Sequence, residues 1–123
     1  MIDACKIAVI GATGAVGRVF LRILEERNFP TSNIRLCASK KSVGKILTVK
    51  TQKIPVEPAT SKLLSEVDIV FISANSTISR EIAPTAVANN AIVIDDSSTF
   101  RMDSEVPLVV PEVNASDLER HKG

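Results

Sequence analysis

The stretch Lys6-Ile7-Ala8-Val9-Ile10-Gly11-Ala12-Thr13-Gly14-Ala15-Val16-Gly17 decides how this chain is read. Its first half, Lys6–Ile10, is a largely apolar, β-branched run that stops at a glycine, as a buried strand ending in a turn does. From Ala15 the period becomes helical. Val16, Phe20, Ile23, Leu24 and Arg27 share a stripe, with Arg18, Arg22, Glu25 and Glu26 outside it. Asn28-Phe29-Pro30 closes the helix, because proline cannot continue it. Between strand and helix, Gly11 allows the tight turn. Gly14 lets backbone N–H groups approach a pyrophosphate, and Gly17 lets the helix pack on the strand. The spacing G-x-x-G-x-x-G is a variant of the commoner G-x-G-x-x-G. Alone it is a weak signal, but its flanks support it.

Working outward, Ile34–Ala38 reads as a second strand and Ser39–Lys45 as a polar, basic loop. Residues 46–57 alternate and contain Pro55, which predicts one or two short antiparallel edge strands. A short helix is expected over 60–64, a buried strand over 67–73 and a helix over 76–88. That last helix carries Ile78, Ile82, Ala83, Ala86 and Val87 on one face, and Pro84 should kink or break it. Ala91–Ile94 reads as another strand and Val106–Val110 as a last short one. Asn114 or Ser116 could then cap a terminal helix. The alternation predicts an α/β, Rossmann-type doubly wound, mostly parallel sheet with helices on both faces, forming one domain over 1–123.

The composition agrees. The 123 residues are 45% hydrophobic and 24% charged, with four Phe, no Tyr and no Trp, so the core must be aliphatic. A net charge of +1 without long charged runs points away from nucleic acid and from membrane surfaces. No apolar run is long enough to span a bilayer. Cys5 and Cys37 lie in strand-like runs and read as buried thiols of a cytoplasmic protein. His121 is expected at the surface. No nucleophile–base pair and no metal-ligand spacing appears, so neither a catalytic residue nor a metal site is assigned.

Two loops carry chemistry. NAD-binding units place a carboxylate near the end of the second strand to hold the ribose 2′-OH. Here that place holds Ser39-Lys40-Lys41-Ser42, two cations and two hydroxyls with no acid. That set suits the dianionic 2′-phosphate of NADP. The other loop is Asp95-Asp96-Ser97-Ser98-Thr99-Phe100-Arg101, directly after a strand. Its single arginine could fork a carboxylate or phosphate, or could instead pair with Asp95 or Asp103.

With these stretches in hand, the chain resembles the aspartate-β-semialdehyde dehydrogenase family. The resemblance rests on Gly11–Gly17, Ala38–Lys45, Phe71–Ala74, Ile94–Met102 and Val106–Asn114, in register along nearly the whole chain. It implies NADPH-dependent reduction of L-aspartyl 4-phosphate to L-aspartate 4-semialdehyde and phosphate, in lysine, methionine and threonine biosynthesis. It further implies that Thr13, Gly14, Ala15 and Val16 hold the cofactor pyrophosphate. Ser39, Lys41 and Ser42 would hold the 2′-phosphate, Ala74 and Ser76 would line the adenosine side, and Arg101 would bind the substrate phosphate.

Three residues depart from the family pattern: Lys41 for a frequent Arg, Asn75 for a usual Gly, and Asp96 for a usual Asn. The family's catalytic cysteine and histidine match nothing here. The chain is therefore expected to be the NADP-binding domain of a longer homodimeric or homotetrameric enzyme, inactive alone. The alternatives are the corresponding domain of an N-acetyl-γ-glutamyl-phosphate reductase, or a stand-alone nucleotide-binding or redox-sensing module.

Overall fold

The computed structural model describes residues 4–123. Its sheet has six strands: β1 (Cys5–Ile10), β2 (Thr31–Cys37), β3 (Ile46–Val49), β4 (Gln52–Glu57), β5 (Ile69–Ile72) and β6 (Ile92–Asp95). They lie in the order β3-β4-β2-β1-β5-β6. β1 is parallel to β2 and to β5, β5 to β6, and β2 to β4, while only the β3–β4 pair is antiparallel. The helices are α1 (Ala15–Glu26), α2 (Ser61–Leu64), α3 (Ser76–Ala88) and α4 (Pro111–Asn114), with a 3₁₀ turn over Ala115–Arg120.

The apolar run of β1 is split by its own pleat. Ile7 and Val9 point to the α1 side, where they meet Leu21, Leu24, Leu36 and Phe71. Ala8 and Ile10 point to the other side and meet Leu63, Val70, Ile82 and Ala86. Side-chain period two thus gives a central strand two cores, which is why its sequence is continuously apolar rather than alternating. Phe20 of α1 stacks on Phe71 of β5, with ring centroids 3.9 Å apart.

Several expectations are corrected. The buried face of α1 is Gly17, Leu21 and Leu24, whereas Val16 and Ile23 are exposed. The helix ends at Glu26, before Pro30, and Asn28 just past its cap has a φ of 47°, the left-handed conformation that closes a helix. Residues 46–57 do form the foreseen antiparallel hairpin, turned through Lys50 and Thr51, both at positive φ. Of these two strands β3 alone is an edge, however, because β4 also pairs parallel with β2 at Val56 and Glu57, just past Pro55. Pro84 does not break α3, which runs to Ala88 with the proline on its exposed side. Residues 106–110 are not a strand. Asn114 does not cap a long helix; its side chain accepts from the Val110 N–H and donates to the Leu108 carbonyl, closing its own loop. Ser116 lies within the 3₁₀ turn.

Among the described residues, no helix is long and apolar enough to cross a membrane, and no cluster of His, Cys, Asp and Glu could hold a metal. Cys37 is buried and Cys5 half-buried. Arg35 of β2 forks both oxygens of Glu57 at 2.6 and 2.8 Å and reaches Glu66 at 2.9 Å. These bonds hold the Glu57 carboxyl below its ordinary range.

Candidate functional site

β1 has β2 on one side and β5 on the other, so the chain winds outward in both directions from β1. Such a reversal leaves a crevice beyond the carboxyl ends of the two strands, where no connection crosses. The glycine turn follows β1, and Ser73–Ser76 follows β5, so these two stretches form its walls. They touch closely. Gly11 has φ +86°, and a Cβ added there would stand 2.0 Å from the Ser73 carbonyl oxygen. A Cβ on Gly17 would stand 2.2 Å from the Gly11 carbonyl oxygen. Only residues without side chains permit that backbone packing.

Gly14 differs. Its φ is ordinary, and a Cβ there would meet only the Gly11 oxygen at 3.4 Å. It is the N-cap of α1, and no side chain caps that helix. The N–H groups of Ala15, Val16 and Gly17 thus have no intrahelical acceptor, and the positive end of the helix dipole faces the crevice. A serine or aspartate at this cap would occupy those amides itself. Arg18 steadies the turn, its Nε donating to the Thr13 carbonyl at 3.1 Å.

The basic loop lies beside this turn. Ser39 and Lys41 are exposed, and Ser42 is buried at 8% exposure. The loop is folded on itself and tied to β4: Ser42 N–H donates to Ser39 O, Lys45 N–H to Ser42 O, and Gly44 N–H to Val56 O. The Thr13 hydroxyl donates to Ser42 Oγ at 3.3 Å, joining the glycine turn to the loop. Sequence reasoning singled out both residues without seeing that they meet, since 29 positions separate them.

On the β5 side, Ala74 is half-buried against the core and Ser76 opens α3. Asn75 is the N-cap of α3; its Oδ1 accepts from the Ile78 N–H at 3.0 Å. The loop after β6 is bound to α3 by a chain of hydroxyls. Asp95 accepts from the fully buried Ser79 at 3.2 Å and from the Ser97 backbone at 2.8 Å. Ser97 Oγ also donates to Thr99 Oγ1 at 2.9 Å, and Thr99 Oγ1 in turn donates to the Ser76 carbonyl at 3.4 Å. Ser79, invisible as a site residue in the sequence, orients this loop; a polar residue on an apolar helix face was its signal.

Arg101 is exposed, and neither Asp95 nor Asp103 pairs with it: Asp95 is taken by Ser79 and Ser97, and Asp103 accepts from the Glu105 N–H. Arg101 lines a groove of about 620 Å³ between α3, β6 and residues 106–109. That groove is separate from the glycine turn and mostly apolar, lined by Val87, Ile92, Ile94, Phe100 and Leu108. Exposed Ile92, Ile94 and Leu108 were its sequence signal, masked by the expectation of a further strand there.

Glycine turn, uncapped helix and basic loop, gathered at the switch of a parallel sheet, define a dinucleotide-binding module. The model of the semialdehyde dehydrogenase NAD-binding domain matches residues 6–121, and the chain belongs to that family. It is 48% identical over 117 residues to the aspartate-semialdehyde dehydrogenase of Bacillus subtilis, covering 95% of this chain and 34% of that protein. With the Aquifex aeolicus enzyme it shares 46% over 118 residues, covering 95% and 35%. Among solved structures, aspartate semialdehyde dehydrogenase II of Vibrio cholerae, complexed with ASA, superposes with a TM-score of 0.91 at 38% identity. That match covers 96% of this chain and 39% of the other. The Candida albicans enzyme with NADP gives 0.81 at 28%, covering 95% and 36%. The chain thus spans about a third of the length of the curated relatives it matches.

Proposed function

We propose that this chain is the NADP-binding domain, over 1–123, of an aspartate-semialdehyde dehydrogenase. The whole protein would reduce L-aspartyl 4-phosphate to L-aspartate 4-semialdehyde and phosphate. The observation that carries the cofactor reading is the uncapped start of α1 beside an acid-free basic loop. The amides of Ala15, Val16 and Gly17 are unfilled donors for a pyrophosphate, with Gly11, Thr13 and Gly14 shaping the turn. Ser39 and Lys41 face solvent next to that turn and suit a 2′-phosphate, with Ser42 beneath them. Ala74 and Ser76 form the adenosine wall. When bound, the nicotinamide supplies a hydride.

Arg101 is the candidate for the substrate phosphate, because its fork is unclaimed by either nearby carboxylate. The chain's own thiols do not suit acyl capture. Burial and Glu57 push the Cys37 thiol up to about 12, so it offers no thiolate near neutrality. Cys5 begins β1, at the opposite end of the strand from the crevice. The catalytic thiol therefore belongs to another part of a full-length enzyme; the family resemblance places the catalytic histidine there too and makes the enzyme a cytoplasmic homodimer or homotetramer.

Fluorescence titration of the chain with NADPH and NADH tests the cofactor reading. Tighter binding of NADPH is expected, and equal affinities would refute it. Turnover of aspartate semialdehyde, phosphate and NADP by this chain alone would refute the assignment of the thiol chemistry elsewhere.

A further inference from the structure

We propose that the Thr13–Ser42 hydrogen bond makes the pyrophosphate turn and the 2′-phosphate loop a single binding unit. Thr13 is then a positioning residue for cofactor discrimination, although it sits at the pyrophosphate end. This rests on the NADP reading above and adds a mechanism to it.

The bond occupies a place nothing else fills. Backbone ties hold the glycine turn to β2, through the Gly11 and Ala12 N–H groups on the Cys37 carbonyl. Other backbone ties hold the basic loop to β4, through Gly44 and Lys45 with Val56. Among the described residues, the Thr13–Ser42 contact at 3.3 Å is the one side-chain hydrogen bond joining turn to loop. Ser42 suits this work better than direct contact with an anion. It is only 8% exposed, its N–H is spent on Ser39 O, and its carbonyl on the Lys45 N–H. The exposed Ser39 and Lys41 are left to face the phosphate, and Ser42 sets where they stand.

The consequence follows from linkage. NADPH carries both anions on one rigid adenosine, so it gains from two subsites held at a fixed spacing before it arrives. NADH uses the turn alone and gains nothing from that spacing. Loosening the tie lets the loop drift relative to the turn, which reduces the affinity for NADPH and spares that for NADH.

The test is a double-mutant cycle read as the ratio of NADH to NADPH dissociation constants, with 2′,5′-ADP as a second probe. Thr13→Val and Ser42→Ala should each lower that ratio roughly three- to tenfold, the worth of one neutral hydrogen bond. The double variant should do no worse than either single one, and Thr13→Ser should restore the ratio. Additive losses in the double variant would overturn the coupling, as would equal weakening of both dinucleotides by Thr13→Val. Lys41→Glu separates the two readings. If it weakens NADPH selectively while Thr13→Val does not, the coupling fails and the NADP assignment stands. If Lys41→Glu weakens both dinucleotides equally, the NADP assignment fails and the coupling with it.

Discussion

The Cα of Gly17 packs against the carbonyl of Gly11, so closely that a methyl on Gly17 would lie 2.2 Å from that oxygen. The atom it would meet is backbone, and a Cβ is fixed by its own backbone, so no side-chain rotation relieves the clash. Gly17→Ala is expected to lower stability by about 2–3 kcal/mol in urea unfolding, despite alanine's better helix propensity. Gly14→Ala meets ordinary contact distances and should cost under about 1 kcal/mol, the loss of a glycine cap. Equal destabilisation by the two would contradict the division of labour between these glycines.

Lys41 is exposed beside the turn and has no carboxylate partner among the ion pairs of the described residues. Reversing its charge should repel a dianion more than a ribose hydroxyl. Lys41→Glu is expected to raise the NADPH dissociation constant roughly tenfold or more at low salt and to change that for NADH by less than about twofold. A calorimetric titration of the two dinucleotides decides it.

Asn75 caps α3 through its side chain. Asn75→Ala should cost about 1 kcal/mol, and Asn75→Gly only a few tenths, because glycine leaves the first amides open to water. Thermal or urea unfolding of the two variants would distinguish a cap from a cofactor ligand. Unchanged stability in Asn75→Ala would remove the cap.

Arg35 binds Glu57 and Glu66 in a half-buried cluster. Glu57 has its folded-state pKa lowered from 4.5, so its contribution is complete above that value. It is lost as pH falls through the lower folded value. Arg35→Met should therefore cost about 1 kcal/mol at pH 7, discounted for partial exposure, and progressively less below pH 4.5. A cost that stays constant or grows in acid would contradict this sign.

Local pattern carried much of this. The strand–glycine–helix order is a short-range property, because a continuous apolar run gives way to a period of 3.6 within a few residues of Gly11. The acid-free Ser39–Ser42 loop was legible for the same reason: it is a statement about residue types next to a strand end. Boundaries and faces were less legible. Val16 and Ile23 fit the apolar stripe of α1 as well as Leu21 does, and only contact with β1 and β2 selects which are buried. Residues 106–110 have strand-like composition, yet no strand among the described residues pairs with them, and residues 106–109 wall a groove instead.

By itself, then, the sequence determined that a phosphate-binding turn follows a buried strand, and that the next strand ends in cations rather than an acid. Tertiary structure decided what meets what. It brought Thr13 to Ser42 and Asp95 to Ser79, and it left Arg101 without an ion pair among the described residues. Those pairings join residues far apart in the chain, whose distance is fixed by sheet order and helix packing. Periodicity along the chain records neither.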